Sequence, residues 1–456
     1  MNDAIKQIGG ESAEQLPLFA EATEKRNGSG FSDPAFAANK KLPIHRWVPW
    51  VAGFSCDFVK DVIDRHLPKK GLILDPFSGV GTTLVEGLIK GHRVAGFEIN
   101  PYAALACKAK TEAFFVEPGE LNLLIERFKT FYSSSIRQKA TPKSKPPAGF
   151  STRAEFYSPA VLTKVLLIKD FIAGIEQPPL CDLARLAFAA TMVTYSNYSY
   201  EPSLGRRESA GREKIEDFAV GETVARKLSE MLEDVLWLKR HAANTKPSAR
   251  IFNKSFFTRG RSLKANSVNL VITSPPYLNN YHYIRNTRPQ LYWLEFVQKP
   301  QDFKELEQAN FGKYWQTVRE AEPINLDFKG ADKEVTDCLE LIRSKSPERG
   351  IYGGNGWANY AASYFNDCYR FSLGLKQVLK RNGKAFVVIG NSIIQGVMVP
   401  TDRFFGKIAE VTGLKVLDIH QSRATRVGSS IIQSTVRVEK AASNHRLYEF
   451  VVELQK

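Results

Sequence analysis

Short apolar runs alternate with amphipathic stretches from residue 71 onwards. Residues 71–110 read GLILDPFSGVGTTLVEGLIKGHRVAGFEINPYAALACKAK, a pattern that predicts strand, glycine-rich turn, helix, strand and helix in that order. The apolar runs are short and continuous, which is typical of strands buried on both faces of a parallel sheet. This segment therefore predicts the start of a doubly wound α/β sheet.

The alternation stops after residue 110. Amphipathic or apolar stretches then predict helices over 117–134, after the capping pair Ser158 and Pro159, and over 180–195 and 218–241. Two loops of basic character, 137–153 and 197–214, separate them. We interpret 111–248 as a helical insertion into the sheet.

Strand patterns return in the second half of the chain and complete a seven-stranded sheet. They lie at 249–253, 268–272, 384–390 and 414–420, with closing strands near Thr435 and Tyr448. Helices are predicted to end near Lys380 and to span 402–411, and the segment 278–357 is predicted to be irregular. The sequence therefore predicts four regions: a flexible tail at 1–41, a first half-domain at 42–110, the insertion at 111–248 and a second half-domain at 249–456.

Charge and cysteine content narrow the class of protein. Lys and Arg number 63 against 48 for Asp and Glu, a formal charge of +15 that favours a polyanionic partner such as nucleic acid. The five cysteines stand far apart without metal-finger spacing, so we expect reduced thiols and no metal. The first residues do not resemble a signal peptide and no apolar run is long enough to span a membrane, which predicts a cytoplasmic protein.

A glycine-rich turn, DPFSGVGTT at residues 75–83, follows the first strand and opens a helix. Gly79 and Gly81 allow a ligand close to the backbone. A dinucleotide fingerprint would place a third glycine where this chain has Leu84, and a phosphate-binding Walker loop would have a lysine before the threonine. Glu98 ends the next strand, at the spacing where a carboxylate can accept both hydroxyls of a ribose.

Residues 75–83 resemble motif I of the DNA amino-methyltransferases, which methylate cytosine N4 or adenine N6. The resemblance implies a Rossmann-like class I fold with S-adenosyl-L-methionine as its cofactor. Residues 45–63 are similar to the segment that precedes motif I in that family, although their spacing also fits a helix packed on the sheet edge. Cofactor contacts are implied for Phe54, Ser55, Asp75, Pro76, Phe77, Gly79, Gly81, Thr82, Thr83, Glu98 and Asn100.

The tetrapeptide Ser274, Pro275, Pro276 and Tyr277 follows the strand at 268–272, so it leaves the sheet at the edge where active sites form. An exocyclic amine is a weak nucleophile because its lone pair is delocalised into the ring. The Ser274 hydroxyl and the Pro275 carbonyl can accept its two protons, the prolines preset the backbone, and Tyr277 can stack on the base.

The base must leave the helix to reach this turn, so the resemblance implies base flipping from double-stranded DNA. In the family, serine at the first position is typical of the cytosine-N4 branch and aspartate of the adenine-N6 branch. Ser274 therefore favours cytosine N4, with adenine N6 and an RNA guanine-N2 enzyme as alternatives. A C5-cytosine enzyme is excluded because the turn has no nucleophilic cysteine. A cognate restriction endonuclease is compatible with this interpretation, and a DNA-binding module with a decayed methylase fold is the alternative outside enzymes.

The segment after the catalytic turn mixes aromatic residues with Arg285 and Arg288. It fits either base stacking with phosphate neutralisation or an aromatic helix face in the core. Asn279, Asn280 and Tyr283 are further candidates for pocket lining. The strand at 249–253 leads into Asn253, Lys254 and Ser255, where related enzymes often have an aspartate that touches adenine. The family often carries target recognition between the two motifs, which points to 111–250 with help from 278–360.

Overall fold

The computed structural model describes residues 36–50, 53–200, 204–243, 246–278, 283–425 and 447–456. Its strands are β1 Leu72–Asp75, β2 Arg93–Phe97, β3 Tyr198–Tyr200, β4 Leu204–Arg206, β5 Ser248–Phe252, β6 Val268–Thr273, β7 Leu379–Gly390, β8 Ser392–Ile394, β9 Val397–Val399, β10 Lys415–Thr425 and β11 Leu447–Gln455. Its helices are α1 Cys56–His66, α2 Thr82–Ile89, α3 Pro101–Glu112, α4 Pro118–Arg137, α5 Pro159–Ala173, α6 Pro178–Thr191, α7 Val220–His241, α8 Tyr283–Asn286, α9 Arg288–Trp293, α10 Pro300–Gln308, α11 Trp315–Val318, α12 Asp332–Arg343, α13 Gly354–Val378 and α14 Thr401–Val411.

Seven strands form one sheet in the order β5-β2-β1-β6-β7-β11-β10. Strands β5, β2, β1, β6 and β7 are parallel, and β11 runs antiparallel to both β7 and β10. Numbered by their sequence order within this sheet, the strands read 3-2-1-4-5-7-6. The predicted seven-stranded, Rossmann-like α/β sheet is therefore confirmed. The structure adds that the strand order reverses between β1 and β6, the place where ligands bind in such sheets.

Alternate residues of the central strands bury apolar side chains on opposite faces of the sheet. Ile73, Val94 and Ile272 pack toward α1 and α2, whereas Leu74 and Val271 pack toward the face covered by α13 and α14. A parallel sheet covered by helices on both faces needs such continuous apolar runs, because neither face meets water. This explains why the first strand, LILD, has no polar position before Asp75.

Helices α4 to α7 occupy the stretch between α3 and β5. Their apolar faces share one core with residues near Trp47 and with α9. Ser158 caps α5 through a hydrogen bond from the backbone amide of Val161, as its sequence predicts. No helix in the described ranges combines the length and apolarity needed to cross a membrane.

The segment 278–357 contains helices α8 to α12 within its described part, although its sequence predicts irregular structure. Most of these helices span only one or two turns, too few for an apolar period to stand out. Residues 36–41, assigned above to the tail, form a 3-10 helix in which Asn39 is fully buried. The rest of the predicted tail and the strand near Thr435 lie outside the described residues, and the domain boundaries stay predictions.

Candidate active site

The two predicted turns lie side by side at the carboxyl edge of the sheet. Strands β1 and β6 are parallel neighbours with Leu74 opposite Val271. The Thr273 hydroxyl donates to Asp75 Oδ1 at 2.6 Å, and the Thr83 hydroxyl donates to the carbonyl of Ile272 at 3.2 Å. Both hydrogen bonds are buried, so the structure joins the glycine-rich turn directly to the strand that carries the Ser-Pro-Pro-Tyr turn.

Asp75 is fully buried at the start of the glycine-rich turn. Its Oδ1 also accepts a hydrogen bond from the backbone amide of Phe77 at 3.1 Å, and no partner is recorded for Oδ2 among the described residues. Burial raises the pKa of Asp75 to about 6, while the hydrogen bonds from Thr273 and Phe77 act in the opposite direction. Asp75 therefore fixes the shape of the turn, and its carboxylate faces inward rather than toward solvent.

Gly79 and Gly81 both have positive φ, 50° and 88°. Gly81 is the N-cap of α2, and a Cβ built there would lie 3.3 Å from Cys107 Sγ. A Cβ on Gly79 would lie 3.6 Å from Trp50 Nε1, so a side chain there would fill the space between the turn and that indole. The positive φ favours glycine at both positions, and at Gly81 the close approach of Cys107 favours it as well.

Glu98 follows β2 and holds the base of the same turn. Its two carboxylate oxygens accept backbone amides on either side, from Gly79 and from Asn100, each at 2.8 Å. Burial raises the pKa of Glu98 to about 7, although these hydrogen bonds oppose the shift. The Asn253 amide donates to the backbone carbonyl of Glu98 at 2.8 Å, so this side chain braces the chain at the position where related enzymes often carry an aspartate.

Asn100 is engaged within the protein. Its Oδ1 accepts from the backbone amide of Tyr102 and caps α3, while its Nδ2 donates to the Thr287 hydroxyl at 2.8 Å. Thr287 lies just before α9, so this bond connects the segment after the catalytic turn to the cofactor side. The predicted contact of Asn100 with the cofactor stays a prediction. Thr287 was not singled out from sequence, because nothing in its local pattern marks it.

The segment before the glycine-rich turn is held against it by Asn39. The Asn39 amide donates to the Phe54 carbonyl at 3.2 Å and lies 3.5 Å from Thr82 Oγ1. Ser55 caps α1 by accepting from the Phe58 amide, and the Phe54 ring is buried against the Phe58 ring. The helix α1 within this segment packs on the central strands β1, β6 and β7, and not on the sheet edge as its spacing suggests. Cofactor contacts of Phe54 and Ser55 stay predictions.

Trp50 is a site residue that sequence reasoning missed. It stacks on Tyr283 with ring centroids 5.7 Å apart and an interplanar angle of 16°. The pair stands beside Gly79 and spans from the segment before the glycine-rich turn to the segment after the catalytic turn. The aromatic run WVPW at residues 47–50 was the available signal. Asn279 and Asn280, proposed from sequence to line the pocket, lie outside the described residues.

The Ser-Pro-Pro-Tyr turn is braced by three strands or helices distant in sequence. The Tyr364 hydroxyl on α13 donates to the carbonyl of Pro276 at 3.1 Å. The Tyr277 ring lies against Gly390 at the end of β7, where an added Cβ would come within 2.9 Å of it. The Tyr277 hydroxyl contacts Glu449 on β11 at 3.3 Å. The turn is thus held by tertiary contacts, with Ser274 only partly buried.

The segment after the Ser-Pro-Pro-Tyr turn is interpreted from its sequence either as stacking on bases and neutralising phosphates or as an aromatic helix face in the core. Tyr292 and Trp293 are buried in the core, which supports the packing interpretation for them. Arg288 lies over the Tyr292 ring at 5.5 Å from its centroid, and Arg285 pairs with Glu307 at 2.6 Å while 44% of its side chain stays exposed. Their contact with DNA stays a prediction.

A buried group of His45, Cys56 and Glu86 is the one set of possible metal ligands found among the described residues. His45 Nε2 lies 2.8 Å from Glu86 Oε1, and the ammonium of Lys60 lies 3.8 Å from Cys56 Sγ. Burial raises the pKa of Cys56 to about 12 and lowers that of His45. A protonated thiol, a neutral imidazole already hydrogen-bonded to a carboxylate and a neighbouring ammonium fit a packing network, and the expectation of no metal stays a prediction.

The fold and this site define a class. A sheet in the order 3-2-1-4-5-7-6, with a glycine-rich turn after its first strand and an acidic residue after its second, is the class I S-adenosylmethionine-dependent methyltransferase fold. No protein-family model matches the chain. Among solved structures, the rRNA methyltransferase aviRa from Streptomyces viridochromogenes aligns over 92% of each chain at 8% identity, and its TM-score of 0.27 gives the superposition no weight.

Sequence relatives extend across most of the chain. It is 24% identical over 434 residues to the Type II methyltransferase M.BsoBI of Geobacillus stearothermophilus, covering 87% of this chain and 83% of the relative. It is 24% identical to the Type II methyltransferase M.AvaI of Anabaena variabilis, covering 84% and 81%, and 23% identical to the Type II methyltransferase M.MvaI of Kocuria varians, covering 80% of each. The relatives found for this chain are thus Type II methyltransferases, and each alignment covers at least 80% of the chain.

Proposed function

We propose that this chain is a site-specific DNA methyltransferase that transfers a methyl group from S-adenosyl-L-methionine to the exocyclic N4 amine of a flipped cytosine. One observation carries the proposal: the hydrogen bonds from Thr273 to Asp75 and from Thr83 to Ile272 lock the glycine-rich turn to the Ser-Pro-Pro-Tyr turn. The similarity to Type II methyltransferases over at least 80% of the chain supports it.

The glycine-rich turn fits the polar groups of the cofactor. Gly79 adopts a positive φ of 50° beside Trp50, and Glu98 presents a carboxylate already oriented by two backbone amides. A carboxylate at the end of the second strand can accept the hydroxyls of a ribose. When bound, the cofactor supplies a methyl group made electrophilic by a positively charged sulfur.

The catalytic turn then prepares the amine. The Ser274 hydroxyl oxygen and the Pro275 carbonyl accept the two protons of the amine and so direct its lone pair toward the methyl group. Tyr364 holds the neighbouring Pro276 carbonyl, which keeps the turn in one geometry before the base arrives. The nitrogen gains the methyl group as the bond from that carbon to sulfur breaks and a neutral thioether leaves. The methylated nitrogen then releases one proton to solvent, because the Ser274 hydroxyl and the Pro275 carbonyl can accept a hydrogen bond from it but are too weakly basic to keep the proton.

DNA is the proposed substrate and double-stranded DNA the proposed partner. The chain carries a formal charge of +15, which attracts a phosphate backbone. A base in a duplex cannot reach the edge of the sheet, so the enzyme must flip it, at a cost of a few kcal/mol that stacking and hydrogen bonds offset. A cognate restriction endonuclease acting on the same site would complete a restriction-modification system.

The chemistry of the product tests the proposal. The chain is expressed in a host that lacks other DNA methyltransferases, plasmid DNA and RNA are digested to nucleosides, and both are analysed by mass spectrometry. We expect N4-methylcytosine in DNA and none with Ser274→Ala. Finding N6-methyladenine instead would overturn the choice of base, and N2-methylguanine in RNA alone would overturn the choice of nucleic acid.

Protonation of Glu98 on acidification should weaken cofactor binding and, at the same time, raise the free energy of unfolding of the cofactor-free protein. Burial raises the pKa of Glu98 from 4.5 to about 7, so its carboxylate takes up a proton below that pH and loses acceptor capacity. The folded state then binds this proton more tightly than the unfolded chain, so the Glu98 contribution to the free energy of unfolding rises as the pH falls from about 7 to about 4.5.

Titration calorimetry of S-adenosylmethionine between about pH 8 and about pH 5.5, with melts of the cofactor-free protein, measures both effects. We expect affinity to fall by about tenfold for each pH unit below the pKa. Glu98→Gln, which does not titrate, should bind weakly with a flat profile. Wild-type affinity that is independent of pH over this range would contradict the prediction.

A further inference from the structure

A chain of three polar side chains leads from the catalytic turn to the antiparallel strand of the sheet. Ser274 Oγ lies 3.5 Å from the Tyr277 hydroxyl, and the Tyr277 hydroxyl lies 3.3 Å from Glu449 Oε1. Glu449 sits on β11, directly opposite Gly390 of β7. Glu449 is 172 residues from Tyr277 in sequence, and the proposed chemistry at Ser274 and Pro275 does not by itself require it.

The chemistry of the three groups fixes the direction of the hydrogen bonds. A carboxylate can only accept, so the Tyr277 hydroxyl must donate its single proton to Glu449. The Tyr277 oxygen is then an acceptor, and the Ser274 hydroxyl donates to it. With its proton engaged in this direction, Ser274 presents only lone pairs to a group arriving on its open side.

Packing holds the Tyr277 ring so that its hydroxyl stays between Ser274 and Glu449. It packs on Gly390, where even a methyl group would come within 2.9 Å of the ring, and the preceding Pro276 carbonyl is held by Tyr364. Because Gly390 and Glu449 are paired residues of adjacent strands, the same pair of strands sets the position of the ring and of the carboxylate. The hydroxyl of Tyr277 therefore has little freedom to turn away.

We propose that Glu449 is a positioning residue that, through Tyr277, fixes Ser274 as a pure hydrogen-bond acceptor and so selects an amine over a carbonyl at the target position. The inference rests on the proposed function. Cytosine presents an amine that donates, whereas thymine and uracil present a carbonyl oxygen at the same position and would face the Ser274 lone pairs with no proton between them. Glu449 thus contributes to the choice of base without touching it.

Single-turnover methylation of plasmid DNA with radiolabelled S-adenosylmethionine tests the role of Glu449. For Glu449→Ala we expect the rate of the chemical step to fall by about tenfold or more, because one oriented hydrogen bond is lost in the transition state. The dissociation constant for S-adenosylmethionine should stay within about twofold of wild type, since Glu449 is absent from the glycine-rich turn. Glu449→Gln keeps an acceptor oxygen and should retain most of the rate.

Glu410→Ala on α14, an exposed glutamate, is the matched control and should keep the wild-type rate. Tyr277→Phe removes the relaying hydroxyl but keeps the ring, so it should match Glu449→Ala in rate. If Glu449→Ala does not fold, Tyr277→Phe alone still tests the role of the hydrogen-bond chain. Duplexes with uracil in place of the target cytosine provide a second readout, since discrimination against uracil in binding should shrink in both variants.

The outcomes separate the two proposals. Wild-type protein that makes no N4-methylcytosine would overturn the proposed function. Wild-type protein that makes N4-methylcytosine, with Glu449→Ala and Tyr277→Phe both within twofold of its rate, would overturn the inference about Glu449 and leave the proposed function standing. Loss of rate in Glu449→Ala with full recovery in Glu449→Gln supports the relay.

Discussion

Replacing Ser274 by alanine is expected to reduce methyl transfer by about 100-fold or more while cofactor binding is retained. The substitution removes one of the two acceptors that orient the amine, an effect of the size seen when a hydrogen-bonding group is deleted from a preorganised transition-state site. The fold should not suffer, because the buried bond to Asp75 comes from Thr273 and Ser274 itself is only partly buried.

Two measurements on the same preparation decide this prediction: the methyl-transfer rate to DNA and the melting temperature with and without S-adenosylmethionine. Ser133→Ala on α4 is the matched control, because that serine is exposed and bonds only within its own helix. A Ser274→Ala variant that keeps more than a third of the wild-type rate would contradict the assignment of Ser274. Loss of cofactor-induced stabilisation would show that the variant disturbs the glycine-rich turn instead.

Replacing Glu98 by alanine should weaken cofactor binding by about 100-fold or more. The substitution removes the acceptor of the Gly79 and Asn100 amides together with the proposed acceptor for the ribose hydroxyls. Hydrogen bonds to a charged group contribute about 1.5 to 3 kcal/mol each, and two of them lost to the cofactor exceed the 2.8 kcal/mol of a 100-fold change. The freed amides of the turn would also lose their fixed direction.

Calorimetric titration with S-adenosylmethionine measures the effect of Glu98→Ala, and DNA binding without cofactor serves as an internal reference that should stay unchanged. Glu126→Ala is the comparison variant, since Glu126 is exposed on α4 and, among the described residues, forms an ion pair with Lys129 of the same helix alone. If Glu98→Ala binds the cofactor within threefold of wild type, Glu98 has no part in holding it.

Local patterns predict the strands of the sheet and both turns, because each of these features depends on residues that are neighbours in sequence. Asp75 and Gly81 lie within one strand-turn-helix unit, and Ser274 follows a continuous apolar strand. Capping residues such as Ser158 act over three or four positions and are equally visible. The order of the strands, in contrast, is not predicted and is known only from the pairing in the structure.

The parts that the sequence does not predict depend on contacts between distant segments. Tyr364 and Glu449 reach the catalytic turn from 88 and 172 residues away, and no local period connects them to it. Asn39 is buried where its side-chain amide donates to the carbonyl of Phe54 and accepts from the backbone amide of Cys56, 15 and 17 residues later in the chain. The β3–β4 hairpin has strands of three residues, too short for alternation to be recognised.

The buried bonds from Thr273 to Asp75 and from Thr83 to Ile272 have a kinetic consequence. Under the proposed function they join the side that would hold the methyl donor to the side that would hold the base, so we expect both to move together when surrounding helices shift on DNA. Flanking sequence can then alter how often a base arrives but not how well it is aligned once seated. Different copies of the same target site should be modified at rates set by encounter and base opening, with a common final step.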